Sequence, residues 1–135
     1  MRNYILIFIM AFTLTGCAGT VENVKSWVPS FWDDQQSERI VDIRLAARRI
    51  HCDSPEIGAQ VQTLRDHIDW FLLYSESKGW QQNDVVRLVE PMSETVEGFE
   101  ERIAGGKFSP AYCAIKLGIL QTQTDTAAEA VLGRY

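Results

Sequence analysis

Apolar side chains recur every three or four residues between residues 37 and 135, and no stretch there alternates apolar and polar side chains as a half-buried strand would. This spacing places the apolar side chains along one face of an α-helix. Glycine and proline residues divide the pattern into four segments with short turns between them. The sequence therefore predicts an all-α domain, a four-helix up-down bundle over residues 37–135.

Capping residues give the expected ends of the first two helices. The first runs over residues 37–50, with Ser37 as a candidate cap. The second is expected to start with Asp53 as its cap, Pro55 in the first turn and Glu56 completing a capping box, and to close at Gly79. Their apolar stripes are Ile40, Ile43, Ala47 and Ile50, then Ile57, Val61, Leu64, Ile68, Phe71 and Leu72.

The third and fourth helices have similar signals. The third starts near Asn83 and ends at Gly105-Gly106, and Pro91 inside it predicts a kink or a split. The fourth starts with Ser109 as cap and a proline in the first turn. The stripes are Val85, Leu88, Val89, Met92, Val96, Phe99 and Ile103, then Cys113, Leu117, Leu120, Thr124, Ala127, Ala128 and Val131.

The first sixteen residues are typical of an export signal and not of the fold. Arg2 is followed by an apolar run over residues 4–12, which is too short to span a bilayer. The run ends in "LTGC", which resembles the lipobox of bacterial lipoproteins, cut before the cysteine that then becomes acylated. The resemblance implies a covalent lipid on Cys17. A plain secretory signal with a stray thiol is the alternative.

The net charge of the mature chain and the residue after the lipobox indicate how such a chain would be attached to a membrane. Ala18 follows Cys17, and in Gram-negative lipoproteins a residue other than Asp here implies transport to the outer membrane. Cleavage removes Arg2, one of 13 basic residues, and none of the 18 acidic ones, so the mature charge is −6. That charge offers no attraction to nucleic acid or anionic lipid, so the acyl chains would do the anchoring, with the domain facing the periplasm.

Residues 17–36 read as a tether between the lipid and the domain. Trp27, Phe31 and Trp32 cluster within it, close to the anchor. Aromatic rings of this kind sit at membrane interfaces, and they equally well pack on the side of a domain. Both interpretations stay open.

With Cys17 lipidated, Cys52 and Cys113 remain in an oxidising compartment, where two thiols normally pair. In an up-down bundle the end of the first helix and the start of the fourth lie at the same end, which brings the two cysteines together. The sequence predicts a Cys52–Cys113 disulfide. A metal site needs more ligands than these and His51 supply, and a catalytic thiol would have to be free.

Signatures of catalysis and of metal or phosphate binding are missing, so we expect no enzyme, no cofactor and no small-molecule substrate. The two histidines lie sixteen residues apart, and His67 has no candidate nucleophile near it in sequence. The carboxylates of the third helix occur at helical spacing and predict a solvated face, in part paired with Arg44, Arg48 and Arg49. These carboxylates are Glu90, Glu94, Glu97, Glu100 and Glu101.

The first two helices carry a second apolar strip away from the core stripe. On a helical wheel Trp70 and Leu73 fall nearly opposite the stripe of the second helix, with Tyr74 to one side; Val41 and Leu45 lie off the stripe of the first. Two central helices with neighbours on both sides would show this pattern. An apolar groove that accepts an amphipathic helix of a partner would show it too.

The motifs together resemble the four-helix pilotins of type II secretion systems, small outer-membrane lipoproteins that escort secretin subunits. The resemblance rests on the lipobox, a cysteine at the end of the first helix, "LYSESKGW" (residues 73–80) and "SPAYCAIK" (residues 109–116), and it covers roughly residues 45–120. The aromatic tether, Pro91 and the final "TDTAAEAVLGRY" have no counterpart in it.

The resemblance implies a binding protein without chemistry of its own. A disordered C-terminal segment of a secretin would fold as a helix into the groove, and the lipid would carry the pair to the outer membrane. The residues expected to contact the partner are Val41, Leu45, Trp70, Leu73, Tyr74 and Trp80.

A second hypothesis is an envelope lipoprotein of a phage or prophage, acting in superinfection exclusion or lysis. In that case the aromatic tether, with Trp27, Phe31 and Trp32, would carry the function. Replacing those three residues would abolish it and spare an escort protein.

Overall fold

The structure, a computed structural model, describes residues 33–133. The predictions for the signal peptide, for lipidated Cys17 and for the tether up to residue 32 lie outside the described residues. The described range forms four α-helices and one short 3-10 helix. These are α1 (Asp34–Arg48), α2 (Ile57–Ser77), α3 (Asn83–Ala104) and α4 (Pro110–Leu132), with the 3-10 helix at Trp80–Gln82 between α2 and α3.

The four helices form an antiparallel bundle, as the apolar periodicity predicted. Each helix packs against the next along the chain, and α4 returns to pack against α1. The turns that permit this are short, and Gly79 after α2 and Gly106 after α3 adopt positive φ angles of 85° and 64°. Among the described helices none is long and apolar enough to cross a membrane.

The predicted stripes form the core. Phe71 and Phe99 are its largest members and are fully buried. Burying a large apolar side chain contributes about 1.5–3 kcal/mol, so these positions dominate the stability of the domain. Four stripe residues are only partly buried at its edge, namely Leu72, Leu88, Ile103 and Leu117. The other stripe residues are buried: Ile40, Ile43, Ala47, Ile50, Ile57, Val61, Leu64, Ile68, Val85, Val89, Met92, Val96, Cys113, Leu120, Thr124, Ala127, Ala128 and Val131.

Helix α1 starts three residues earlier than Ser37, the predicted cap. Asp33 caps it instead, and its carboxylate accepts hydrogen bonds from the backbone N–H groups of Gln35 and Gln36 at 3.0 and 3.3 Å. The start of α4 is as predicted, since Ser109 accepts from the N–H of Tyr112 and Pro110 occupies the first turn.

The predicted capping box of α2 does not form. The helix begins at Ile57, and residues 51–56 make turns in which the N–H of Ile57 donates to the Ser54 carbonyl at 3.2 Å. The Ser54 hydroxyl accepts from the N–H of Glu56 at 3.1 Å. A serine turn therefore takes the backbone groups that Asp53 was expected to cap.

Pro91 does not split α3, which is continuous from Asn83 to Ala104. A proline removes one N–H and so leaves one carbonyl, that of Arg87, without its helical partner. Pro91 is exposed, so water can satisfy this carbonyl, and the buried stripe on the opposite side holds the helix together.

The predicted disulfide is present. Cys52, in the turn after α1, is bonded to Cys113 in the first turns of α4, with the two Cα atoms 5.8 Å apart. The bond closes a loop of 61 residues and ties together the ends of helices that are first and last in the described chain.

A buried polar network closes the opposite end of the bundle. The amide nitrogen of Gln36 donates to the Ser75 hydroxyl at 2.8 Å and to the Gln82 side-chain oxygen at 3.3 Å. All three residues are buried, and they join α1, α2 and the 3-10 helix. Each donor and acceptor needs its partner here because water is excluded.

Candidate partner-binding surface

The six residues predicted to bind a partner lie on the surface but do not all share one environment. Val41, Leu45, Leu73 and Trp80 are exposed, with 38, 43, 67 and 41% of their surfaces accessible. Trp70 and Tyr74 are half-buried. The exposed apolar surface of this set is therefore carried mainly by aliphatic side chains.

Trp70 and Tyr74 form a stacked pair on α2. Their ring centroids lie 4.8 Å apart with the planes inclined by 10°. The guanidinium of Arg39 lies over the Trp70 ring at 4.6 Å, and the Lys78 ammonium lies over the Tyr74 ring at 4.7 Å. Cation–π contacts thus cover both rings, and the pair belongs to the packed seam between α1 and α2.

Asp33 joins this aromatic pair to the start of α1. Its carboxylate accepts from the Tyr74 hydroxyl at 3.0 Å and pairs with Lys78 at 3.2 Å. Burial raises the pKa of Asp33, but the hydrogen bonds from Tyr74, Lys78 and the Gln36 N–H outweigh burial and hold this pKa below its usual value of 3.8. The carboxylate is thus charged at neutral pH and joins the start of α1 to the end of α2.

An open cleft of about 330 Å³ lies further along the α1–α2 seam. Leu45 is the one predicted binding residue among its described lining residues. Helix α1 with its C-cap residue provides apolar side chains and two charged groups, and α2 provides polar groups. The described lining residues are Asp42, Leu45 and Ala46 of α1, Arg49 at the C-cap of α1, and Gln60, Thr63 and His67 of α2.

Arg39 binds two of the residues that line this cleft. One guanidinium nitrogen donates to Asp42 at 3.2 Å and lies 3.0 Å from Nδ1 of His67. A guanidinium has no acceptor, so Nδ1 of His67 accepts and the imidazole carries its proton on Nε2. His67, expected only as a surface imidazole, therefore links the two helices.

The predicted pairing of α1 arginines with α3 carboxylates is wrong. Arg44 and Arg48 instead share Asp125 of α4, at 2.5 and 3.1 Å. Glu100 pairs with Arg65 of α2. The reason is topological, because α1 packs against α2 and α4 and lies diagonally across the bundle from α3.

Sequence reasoning missed one exposed apolar pair. Ile115 and Ile119, 65 and 42% accessible, lie one turn apart on the outward face of α4. Their signal was present in the sequence, since α4 is apolar on both sides and such a helix usually has neighbours all round.

No group of three or more histidine, cysteine or acidic side chains that could hold a metal ion occurs in the part of the chain the structure describes. Comparison with known protein families, curated proteins and solved structures finds no match to this chain.

Proposed function

We propose that this chain is an outer-membrane lipoprotein that binds an amphipathic helix of a partner protein at the α1–α2 seam, and that the partner is the C-terminal segment of a secretin. The observation that carries the proposal is Leu45, a leucine 43% accessible at the wall of an open cleft between two helices. Large exposed apolar side chains beside a cleft are typical of interaction sites.

The apolar surface around the cleft supports a helix as the partner. Val41 and Leu45 are one turn apart on α1 and both exposed, so they form a strip that an apolar helix face can cover. Asp42, Arg49 and Gln60 line the cleft beside Leu45, so polar groups lie next to this end of the strip, as in the polar rim of protein interfaces.

The choice of a secretin rests on the resemblance to pilotins, whose motifs fall on defined places in this fold. Residues 73–80 close α2 and lead into the 3-10 helix, and residues 109–116 open α4 around Cys113. The lipobox at Cys17 supports the outer-membrane location. The proposal gives the tether aromatics no part in binding the secretin, whereas the phage-lipoprotein hypothesis depends on them.

Site-specific photo-crosslinking in cell envelopes tests the proposal. A photoreactive amino acid at position 45 should capture a secretin, and the crosslinked peptide should come from its C-terminal segment. The same amino acid at position 94, an exposed position on α3, should not capture it. Capture of no secretin at position 45, or equal capture at both positions, would contradict the proposal.

A further inference from the structure

The cleft between α1 and α2 has an uncompensated positive charge. Its one carboxylate among the described lining residues, Asp42, is held by Arg39. The Arg49 guanidinium makes no hydrogen bond or ion pair with any residue between 33 and 133. An exposed arginine whose five donors have no acceptor among residues 33–133 is, in a chain of net charge −5, a local exception to the charge of the protein.

The arginines of α1 show that Arg49, the residue at the C-cap of this helix, differs from its neighbours. Arg44 and Arg48 are both bound to Asp125, and Arg39 is bound to Asp42 and His67. Those three hold helices together. The Arg49 guanidinium faces the cleft and holds no second helix of the described bundle.

The opposite wall of the cleft adds a donor and no competing free carboxylate. Because Nδ1 of His67 accepts from Arg39, its Nε2–H is a donor with no partner among residues 33–133. The Gln60 side-chain oxygen accepts from the N–H of His51, and the Thr63 hydroxyl donates to the carbonyl of Ala59. The unused polar capacity of the cleft thus includes donors on both walls, which suit an anionic acceptor.

Leu45 and Arg49 are spaced one helical turn apart, so they present an apolar group and a cation side by side. We propose that this pair selects a partner helix carrying a carboxylate one turn from an apolar side chain, with the apolar side chain on Leu45 and the carboxylate on Arg49. Arginine binds a carboxylate in a two-point geometry, which gives direction as well as affinity. This inference rests on the proposed function and specifies the partner's chemistry.

A peptide titration tests it. The probe is a fluorescent synthetic peptide of the C-terminal segment of the secretin from the same bacterium, with a second peptide in which every Asp and Glu is replaced by Asn or Gln. The protein is the lipid-anchored chain in detergent, as wild type, Arg49→Gln and Arg87→Gln. Arg87 is an exposed α3 arginine whose one bond within residues 33–133 is to the carbonyl of Asn83, one turn earlier, so its replacement serves as the control.

Wild type and Arg87→Gln should bind the acidic peptide about tenfold more tightly than the amide peptide, with a preference that shrinks as salt rises. The Arg49→Gln variant should lose this preference and bind both peptides with the affinity that wild type has for the amide peptide. If the Arg49→Gln variant keeps the preference for the acidic peptide, or binds both peptides equally more weakly, Arg49 does not bind a partner carboxylate. The proposed function would stand in that case. If wild type binds neither peptide, the proposed function fails as well.

Discussion

Cys52 and Cys113 are joined across 61 residues of sequence, and their bond ties the turn after α1 to the first turns of α4. Asp33 and the Gln36 network close the other end of the bundle. The domain is thus held covalently at one end and by polar contacts at the other. The α1–α2 seam, with its cleft, runs between these two fixed ends.

Removal of the disulfide should strongly destabilise the domain. Replacing Cys52 and Cys113 with alanine, singly or together, should lower the free energy of unfolding by about 4 kcal/mol, because the unfolded chain regains the freedom of a long loop. Urea unfolding followed by circular dichroism measures this. Wild type with the bond reduced should match the double variant, and a reduced wild type as stable as the oxidised one would contradict the account.

Asp33→Asn should destabilise the domain at neutral pH by about 1–2 kcal/mol, because asparagine still caps α1 but Lys78 loses its ion pair and the Tyr74 hydroxyl loses a charged acceptor. The pKa of Asp33 is lowered in the folded state, so its contribution is present above the unfolded pKa and is lost as pH falls through the folded one. The stability difference between wild type and variant should therefore shrink below about pH 3.8.

Asp53→Asn is the matched control for this experiment. Asp53 is exposed and caps no helix, so its replacement should change the unfolding free energy by less than about 0.5 kcal/mol. If Asp53→Asn costs as much as Asp33→Asn, the stabilising role given to the Asp33 charge is wrong.

Gln36→Ala should destabilise by about 1–3 kcal/mol, because Ser75 and Gln82 are then buried without their donor. Gln35→Ala, at the exposed neighbouring position, should be close to neutral. A triple variant with Gln36→Leu, Ser75→Ala and Gln82→Leu should lose less unfolding free energy than Gln36→Ala alone, since none of the three positions then has an unpaired polar group. A triple variant much less stable than Gln36→Ala would show that the network stabilises this end of the bundle in another way.

The tether distinguishes the two functional hypotheses. Replacing Trp27, Phe31 and Trp32 with serine should leave capture of a secretin at position 45 unchanged, because the proposed binding site lies on α1 and α2. Photo-crosslinking yield in cell envelopes measures this. If the triple change abolishes function and a substitution at Leu45 does not, the phage-lipoprotein hypothesis replaces the escort hypothesis.

The helices, the core stripes and the disulfide were predictable because each follows from a local period or from the order of the helices. Phe71 and Phe99 are in the core for that reason. The cap at Asp33 was missed because its carboxylate also depends on Tyr74 and Lys78, which lie about 40 residues away and reach it only in the folded bundle.

The candidate site was predictable only in part. Leu45 falls off the core stripe on a helical wheel, and the structure places it at the cleft. Trp70 was expected to be a binding side chain, but Arg39 lies over its ring. Such pairings depend on the register between α1 and α2, and the sequence contains no local signal for that register. The unengaged Arg49 could be recognised only after the partners of the other α1 arginines were known.

The central claim, a partner helix bound at the α1–α2 seam, is tested most directly by the affinity of the lipid-anchored protein for the C-terminal peptide of the secretin. Isothermal titration should show that Leu45→Glu weakens binding at least tenfold, since a charge replaces the apolar contact at the cleft, while Ile115→Glu on α4 binds like wild type. Both residues are exposed, so neither change should unfold the domain. Loss of binding in Ile115→Glu with full binding in Leu45→Glu would place the partner on α4 and contradict the claim.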